Sequence, residues 1–186
     1  SVVVPVCNEE DNVLPLAREI HAALAGKYSF ELIVVDDGST DRTARVLRCL
    51  SDPRVTVLCH PVNRGKGAAV LTGVRRANGT HVLIVDADLE YSPNDIPSLL
   101  TPVMTGISDH VFGSRVFGLN TRFPSFRFAV GGRLTTVFAN ALFDSFLTYM
   151  HTCLTLVPLA HFDPMTLSDQ LVGLDTELTA SMLRAG

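Results

Sequence analysis

Hydrophobic and polar positions along this chain fall into two alternating rhythms. Ser1–Val6, Phe30–Val35, Val55–Cys59 and His81–Val85 are short apolar runs bounded by polar residues, the mark of buried strands. Between them apolar residues recur at the 3.6-residue period of a helix with one inward face. Val13, Leu16, Ala17, Ile20 and Leu24 form the first such set, Ala44, Leu47 and Leu50 the second, and Val70, Val74 and Ala77 the third. Gly26, Asp52-Pro53 and Asn78-Gly79 supply the stops. Ser39 or Thr40 is placed to cap the second helix, and Ser92-Pro93-Asn94-Asp95 gives a cap, a first-position proline and an acid for a fourth. Asp109–Gly113 reads as a fifth strand. Strand–helix alternation through four units predicts an α/β fold, a mostly parallel, doubly wound sheet with helices on both faces.

Beyond Gly113 the texture changes. Arg115, Arg122, Arg127 and Arg133 lie in a stretch rich in Phe and Gly, and Leu134–Leu147 is apolar apart from Asn140 and Asp144. Its uninterrupted runs are well short of the roughly 20 residues of a membrane span. Two readings stand, an amphipathic helix lying on a membrane surface and a buried core helix. Leu174–Leu183 resumes helical periodicity, and no internal repeat is present.

The 186 residues fit a single domain, 1–186, able to bury a sizeable core. The chain starts inside an apolar run and stops in a helical pattern, so it reads as trimmed at both ends from a longer protein. A formal net charge of −4 argues against a general nucleic-acid binder. Cys7, Cys49, Cys59 and Cys153 show neither C-x-x-C nor zinc spacing and read as reduced thiols of a cytoplasmic chain.

Acids recur at the predicted strand ends: Glu9 after the first, Asp36 and Asp37 after the second, Asp86 and Asp88 after the fourth. In an open parallel sheet the carboxyl edge is where ligands bind. Asp86, Asp88 and Glu90 would share one face if the chain stayed extended. Three oxygen donors on one side suit Mg²⁺ or Mn²⁺ bridging to substrate phosphates, whereas a solvated acidic turn is the plain alternative. Clustered carboxylates repel unless a cation or hydrogen-bond donors offset them, and a carboxylate rim can accept from a ribose hydroxyl or a base N–H. Gly65-Lys66-Gly67 opens a helix whose free N–H groups attract anions. Walker spacing and a G-x-G-x-x-G after the first strand are both absent, which lowers the case for P-loop NTPases and dinucleotide dehydrogenases.

Val4-Pro5-Val6-Cys7-Asn8-Glu9-Glu10, Val34-Val35-Asp36-Asp37-Gly38-Ser39-Thr40-Asp41, Asn63-Arg64-Gly65-Lys66-Gly67 and Asp86-Ala87-Asp88-Leu89-Glu90 stand in an order that resembles the family-two inverting glycosyltransferases of the GT-A fold. The branch most similar is that of dolichol-phosphate mannosyltransferases and polyprenyl-phosphate glycosyltransferases. By that resemblance Pro5, Cys7, Glu9 and Asp37 line the nucleoside pocket, with Cys7 where tyrosine is common. Asp86 faces ribose and metal, and Asp88 and Glu90 bind the cation. Gly113-Ser114-Arg115 resembles a G-S-R turn whose arginine lies near the phosphates, and Arg127 falls where an arginine for the lipid phosphate is expected. Asp175 and Glu177 lie where relatives carry acids near the acceptor. Thr148–Thr155 resembles a T-D-x-x-T-C-Y-K segment, with Tyr149 replacing the acid and Leu154 and Thr155 replacing the aromatic and the lysine.

The resemblance implies a metal-dependent hexosyltransferase that moves a sugar from a UDP- or GDP-linked donor to a polyprenyl phosphate. Asp88, Arg115 and Asp175 are its candidate catalytic residues, and Lys66 or Arg115 offsets charge on the diphosphate. Such an enzyme would work peripherally at the inner face of a membrane. The alternatives are transfer to a sugar or protein hydroxyl, with Asp175 as base, and a catalytically silent nucleotide-binding domain.

Overall fold

Side chains from two strands at the centre of the sheet divide the core between its faces. The computed structural model describes residues 1–89, 91–113, 126–144, 148 and 154–162. In β1 (Val2–Val6) and β2 (Leu32–Asp36), Val2, Val4, Val6, Leu32 and Val34 pack on one side. They meet Val13, Leu16, Ile20 and Leu24 of α1 (Val13–Leu24), Leu47 of α2 (Thr43–Leu47), and Ile96 and Leu99 of α4 (Ile96–Met104). Val3, Ile33 and Val35 turn to the other side, against Ala69, Val70, Leu71 and Val74 of α3 (Lys66–Arg76). Both faces are therefore covered, as buried parallel strands require.

The sheet order is β3-β2-β1-β4-β6-β5, with β3 (Val55–Cys59), β2, β1 and β4 (His81–Ile84) parallel. The doubly wound expectation holds through these four strands. The far edge differs. The expected fifth strand shrinks to β5 (Val111–Phe112), and an unexpected strand, β6 (Thr155–Pro158), lies between β4 and β5, antiparallel to both. Leu154 and Thr155 are consequently buried at the sheet.

Two local expectations also change. Neither Ser39 nor Thr40 caps α2, because both are taken up by Asn8. The Asn8 N–H donates to Ser39 Oγ (2.9 Å), and Asn8 Oδ1 accepts from the Thr40 N–H (2.8 Å). The Thr43 N–H donates instead to Asp41 Oδ1 (2.9 Å). Ser92 behaves as expected, accepting from the Asn94 N–H at the head of a 3-10 turn, Pro93–Asp95, that runs into α4.

The apolar stretch after residue 125 forms α5 (Phe126–Phe143). Among its described side chains the buried ones are small or polar: Gly132, Thr136 and Ala139. Leu134 and Phe138 are 70% exposed, and Val130, Val137 and Leu142 are exposed with them. These five side chains thus face outward, unlike those of a helix buried on all sides. No helix among the described residues is long and apolar enough to cross a membrane.

The loop after β2 approaches the segment after β3 so closely that only glycine fits at position 38. Gly38 has φ +68°, and a Cβ there would lie 2.4 Å from Asn63 N and Val62 C. An L-residue held at positive φ costs about 1–3 kcal/mol, and backbone overlap adds to it. Gly38→Ala should therefore lose at least about 2 kcal/mol, a fall of about 4–8 °C in melting temperature for a chain of this length. Gly26 also has positive φ (+75°), but a Cβ at that position would meet nothing within 4 Å. Gly26→Ala should cost only about 1 kcal/mol. Equal melting temperatures for the two variants would show that the close approach carries no energy.

Candidate active site

Four parallel strands deliver their following residues to one edge. Register pairs Val6 with Asp36 and Asp36 with Cys59, so the ends of β1, β2 and β3 lie level. The chain leaves β1 into Cys7-Asn8-Glu9, β2 into Asp37-Gly38, β3 into His60–Gly65, and β4 into Val85-Asp86-Ala87-Asp88. A cleft of about 210 Å³ opens there, lined by Pro5, Cys7, Glu9, Asp37, Lys66, Asp86 and Asp88, and also by Val6, Asn63 and Ala87. The seven residues named first come from distant parts of the sequence and were all expected at this site.

Asp37 is only 3% exposed, yet its carboxylate is well supplied with donors. Oδ1 accepts from the Arg64 N–H (2.9 Å) and stands 2.6 Å from His60 Nδ1, while Oδ2 accepts from the Gly65 N–H (2.8 Å). A buried carboxylate is tolerable only with such donors. Gly65 precedes Lys66, the first residue of α3, so Asp37 fixes where that helix begins.

Lys66 then reaches across the cleft. Its Nζ lies 2.8 Å from Asp86 Oδ1 and 2.9 Å from Asp86 Oδ2, a forked ion pair at the switch between β1 and β4. Glu9 is held by its neighbours: its N–H donates to Thr43 Oγ1 (2.9 Å) and its Oε2 accepts from Asn12 Nδ2 (2.7 Å). Behind it, hydrogen bonds from Arg42 keep the Glu10 carboxyl below its usual pKa. Asp36, although at a strand end, does not line the cleft; its Oδ1 accepts from the Ser39 N–H (3.0 Å).

Among the described residues the chain is not extended through Asp86 and Asp88. The chain turns at Ala87-Asp88, and Leu89 has φ +57°. Asp86 and Asp88 still share the cleft. Glu90, Arg115, Tyr149, Asp175 and Glu177 lie outside the described residues, and Arg127 falls in the first turn of α5. No group of three potential ligands able to hold a metal ion by itself occurs among the described residues. Two carboxylates in a cleft nonetheless fit Mg²⁺ or Mn²⁺, which keeps several waters and takes further oxygens from phosphates.

Three residues of the site carried no expectation: His60, Thr72 and the side chain of Asn63. Asn63 Nδ2 donates to Cys7 Sγ (3.1 Å), tying the β1 and β3 loops together across the cleft. His60 Nε2 lies 2.9 Å from Thr72 Oγ1 on α3. Polar residues of this kind are common in loops, and only the fold brings these to Asp37 and Cys7.

Comparison with known proteins bears on this geometry. Residues 1–150 match the family model described as glycosyl transferase family 2. The undecaprenyl-phosphate 4-deoxy-4-formamido-L-arabinose transferase of Pseudomonas fluorescens (strain Pf0-1) is 35% identical over 132 residues, 67% of this chain and 38% of that protein. The dolichol-phosphate mannosyltransferase of Pyrococcus furiosus is 38% identical over 116 residues, 62% of this chain and 32% of its own length. The chain thus spans only about a third of these relatives. Among solved structures, glucosyl-3-phosphoglycerate synthase from Mycobacterium tuberculosis, crystallised with Mn²⁺, UDP-glucose and phosphoglyceric acid, superposes with TM-score 0.66 at 23% identity. The match covers 86% of this chain and 56% of that one. S. aureus TarS 1–349 in complex with UDP gives TM-score 0.65 at 19% identity, covering 96% and 53%. At these identities the likeness concerns the fold, which is GT-A.

The Asp37 clamp has a measurable consequence for stability. Asp37→Asn replaces one acceptor oxygen with an NH₂ that must face a backbone N–H or His60. Hydrogen bonds to charged groups contribute about 1.5–3 kcal/mol, so the variant should melt about 3–12 °C lower. An unchanged melting temperature would show that the donors around Asp37 are satisfied equally well without its charge.

Proposed function

Because the chain belongs to glycosyltransferase family 2, we propose that the whole protein transfers a sugar from a UDP- or GDP-linked donor to a polyprenyl phosphate, with a divalent cation at the donor diphosphate. The observation that carries this reading is the convergence of Asp37, Lys66, Asp86 and Asp88 on one cleft at the carboxyl edge of the sheet. Named relatives acting on undecaprenyl or dolichyl phosphate support the acceptor class. Structural neighbours crystallised with Mn²⁺ and UDP support the donor and the cation.

In this reading Pro5, Cys7, Glu9 and Asp37 hold the nucleoside. Asp86 faces the ribose and the cation, and Asp88 and Glu90 hold the cation. Bound there, Mg²⁺ or Mn²⁺ supplies positive charge to the leaving diphosphate. Lys66 and Arg115 add fixed cations, the electrostatic contribution that usually dominates such catalysis. Arg127 meets the acceptor phosphate. A phosphate monoester is largely ionised near neutral pH, its second pKa being about 6. Such an acceptor has no proton to lose, so replacement of an acid by Tyr149 leaves the chemistry intact. Asp175 would be needed as a base only for a hydroxyl acceptor. A panel of labelled nucleotide sugars offered with undecaprenyl or dolichyl phosphate to the full-length protein tests the reaction itself. Binding of nucleotide without turnover on any pair would identify a silent domain.

The outward face of α5 supports a peripheral position at the inner face of a membrane. Val130, Leu134, Val137, Phe138 and Leu142 are exposed along the helix, with Arg133 exposed beside them. An exposed apolar face of this size marks an interaction surface, and an acceptor anchored in lipid requires the enzyme to meet a bilayer.

Two outcomes are expected. Ligand at about a hundredfold its dissociation constant stabilises a fold by roughly 2.7 kcal/mol, or about 5–11 °C at this length. UDP or GDP with Mn²⁺ should raise the melting temperature by that order, and Asp88→Ala should remove most of the gain. A shift indifferent to metal and to Asp88→Ala would refute the cation assignment. For the membrane, Leu134→Glu with Phe138→Glu should abolish sedimentation of the full-length protein with anionic vesicles. Since both side chains are already exposed, stability should barely change. Undiminished vesicle binding by the double variant would exclude α5 as the docking element.

A further inference from the structure

We propose that His60 is a positioning residue of the nucleoside pocket, fixing the Asp37 carboxylate so that one acceptor site stays aimed at the ligand. The inference rests on the nucleotide reading above and extends it to a side chain that does not line the cleft.

His60 follows the last residue of β3, and its N–H donates to Asp36 O (2.8 Å), continuing the ladder with β2. Its side chain is 7% exposed and that of Asp37 4%, so the pair is shielded from water. Both ring nitrogens are committed, Nδ1 to Asp37 Oδ1 at 2.6 Å and Nε2 to Thr72 Oγ1 at 2.9 Å. An ionised carboxylate only accepts hydrogen bonds, so the proton between them sits on Nδ1. Nε2 lies at hydrogen-bond distance from the Thr72 hydroxyl, which can donate or accept. Thr72 belongs to α3, so the ring is anchored from the helix and aimed at the strand end.

A count of lone pairs shows what this series of hydrogen bonds achieves. A carboxylate offers about four acceptor sites. On Asp37, Oδ1 takes two partners, His60 and the Arg64 N–H, and Oδ2 takes one, the Gly65 N–H. The remaining site is on Oδ2, and Asp37 lines the cleft. A nucleoside offering an N–H or O–H finds an acceptor already oriented, with no cost of ordering at the moment of binding. The two backbone donors come from adjacent residues of the turn before α3. His60 is the donor that ties the carboxylate to the sheet and, through Thr72, to the body of α3. Without it Oδ1 keeps only the Arg64 N–H, and the carboxylate loses its tie to the sheet.

The test compares nucleotide with a ligand lacking the nucleoside. Full-length wild type, His60→Ala, His60→Asn and Thr72→Val are titrated calorimetrically with UDP, GDP and inorganic pyrophosphate, each with Mn²⁺. His60→Ala should weaken the nucleotide that wild type binds by about tenfold or more, and leave pyrophosphate within about twofold, because pyrophosphate needs only the cation and Lys66. His60→Asn, whose amide N–H can replace Nδ1, should recover most of the loss. Thr72→Val should shift nucleotide affinity in the same direction by less. Equal weakening of nucleotide and pyrophosphate, no weakening of either, or no recovery by His60→Asn would overturn the positioning role. If His60→Ala does not fold, His60→Asn and Thr72→Val decide by the same nucleotide-to-pyrophosphate ratio. A wild-type protein that binds pyrophosphate with Mn²⁺ but neither nucleotide would overturn the nucleotide reading itself, and the inference with it.

Discussion

The buried carboxylate of Asp37 is the constraint on which the geometry of the cleft depends. It stands at the end of β2, and its donors all come from the segment between β3 and α3. A charge removed from water would be intolerable without them, so the segment is drawn onto the strand end. Gly38, the next residue, permits the approach because a side chain there would collide with the backbone of Val62 and Asn63. With Gly65 fixed, α3 starts at a fixed place, and Lys66 at its first position lies within reach of Asp86. One carboxylate thereby sets the position of the Lys66 ammonium relative to the acids across the switch point.

The same arrangement resolves the repulsion expected of acids gathered at one edge. Asp37 is offset from behind by N–H donors, and Asp86 from the front by Lys66. Asp88 stands at the exposed lip. Among the described residues the cleft presents the Lys66 ammonium and the carboxylates of Glu9, Asp37, Asp86 and Asp88, an acidic lining for a diphosphate. On the proposed reading, Asp86 and Asp88 would hold a divalent cation that supplies the missing positive charge, with Lys66 adding its own. Nucleotide would then bind better with the cation than without it, because the diphosphate alone faces like charges.

How much of this could be read from the residues follows a physical divide. The parallel strands and their helices were legible because burial on both faces leaves continuous apolar runs and a 3.6-residue stripe. The acids of Asp37, Asp86 and Asp88 were legible because strand ends in such a sheet converge. What escaped was decided by partners distant in sequence. Ser39 and Thr40 look like caps for α2 until Asn8 arrives from the end of β1 and claims both. Asp86 and Asp88 look like part of one extended row until the backbone turns at Ala87-Asp88. Nothing local distinguishes His60 or Thr72 from any loop histidine or helix threonine. The strand Thr155–Pro158 is four residues long, ends in proline and lacks alternation, so its place between β4 and β5 is dictated by the gap in the sheet alone.

Helix α5 shows a further limit of periodicity. Almost every position from Phe126 to Phe143 is apolar or small, so the pattern specifies a helix without specifying which side turns inward. Among its described side chains the buried ones are Gly132, Thr136 and Ala139, and Thr136 satisfies its hydroxyl on Gly132 O at 2.6 Å. The larger side chains of Val130, Leu134, Val137, Phe138 and Leu142 are left exposed. Each of those would contribute about 1.5–3 kcal/mol if it were withdrawn from water. A fold retains such a face outward only where another phase or partner recovers that energy. On the reading proposed above, an acceptor embedded in lipid would offer that recovery where the reaction needs its substrate.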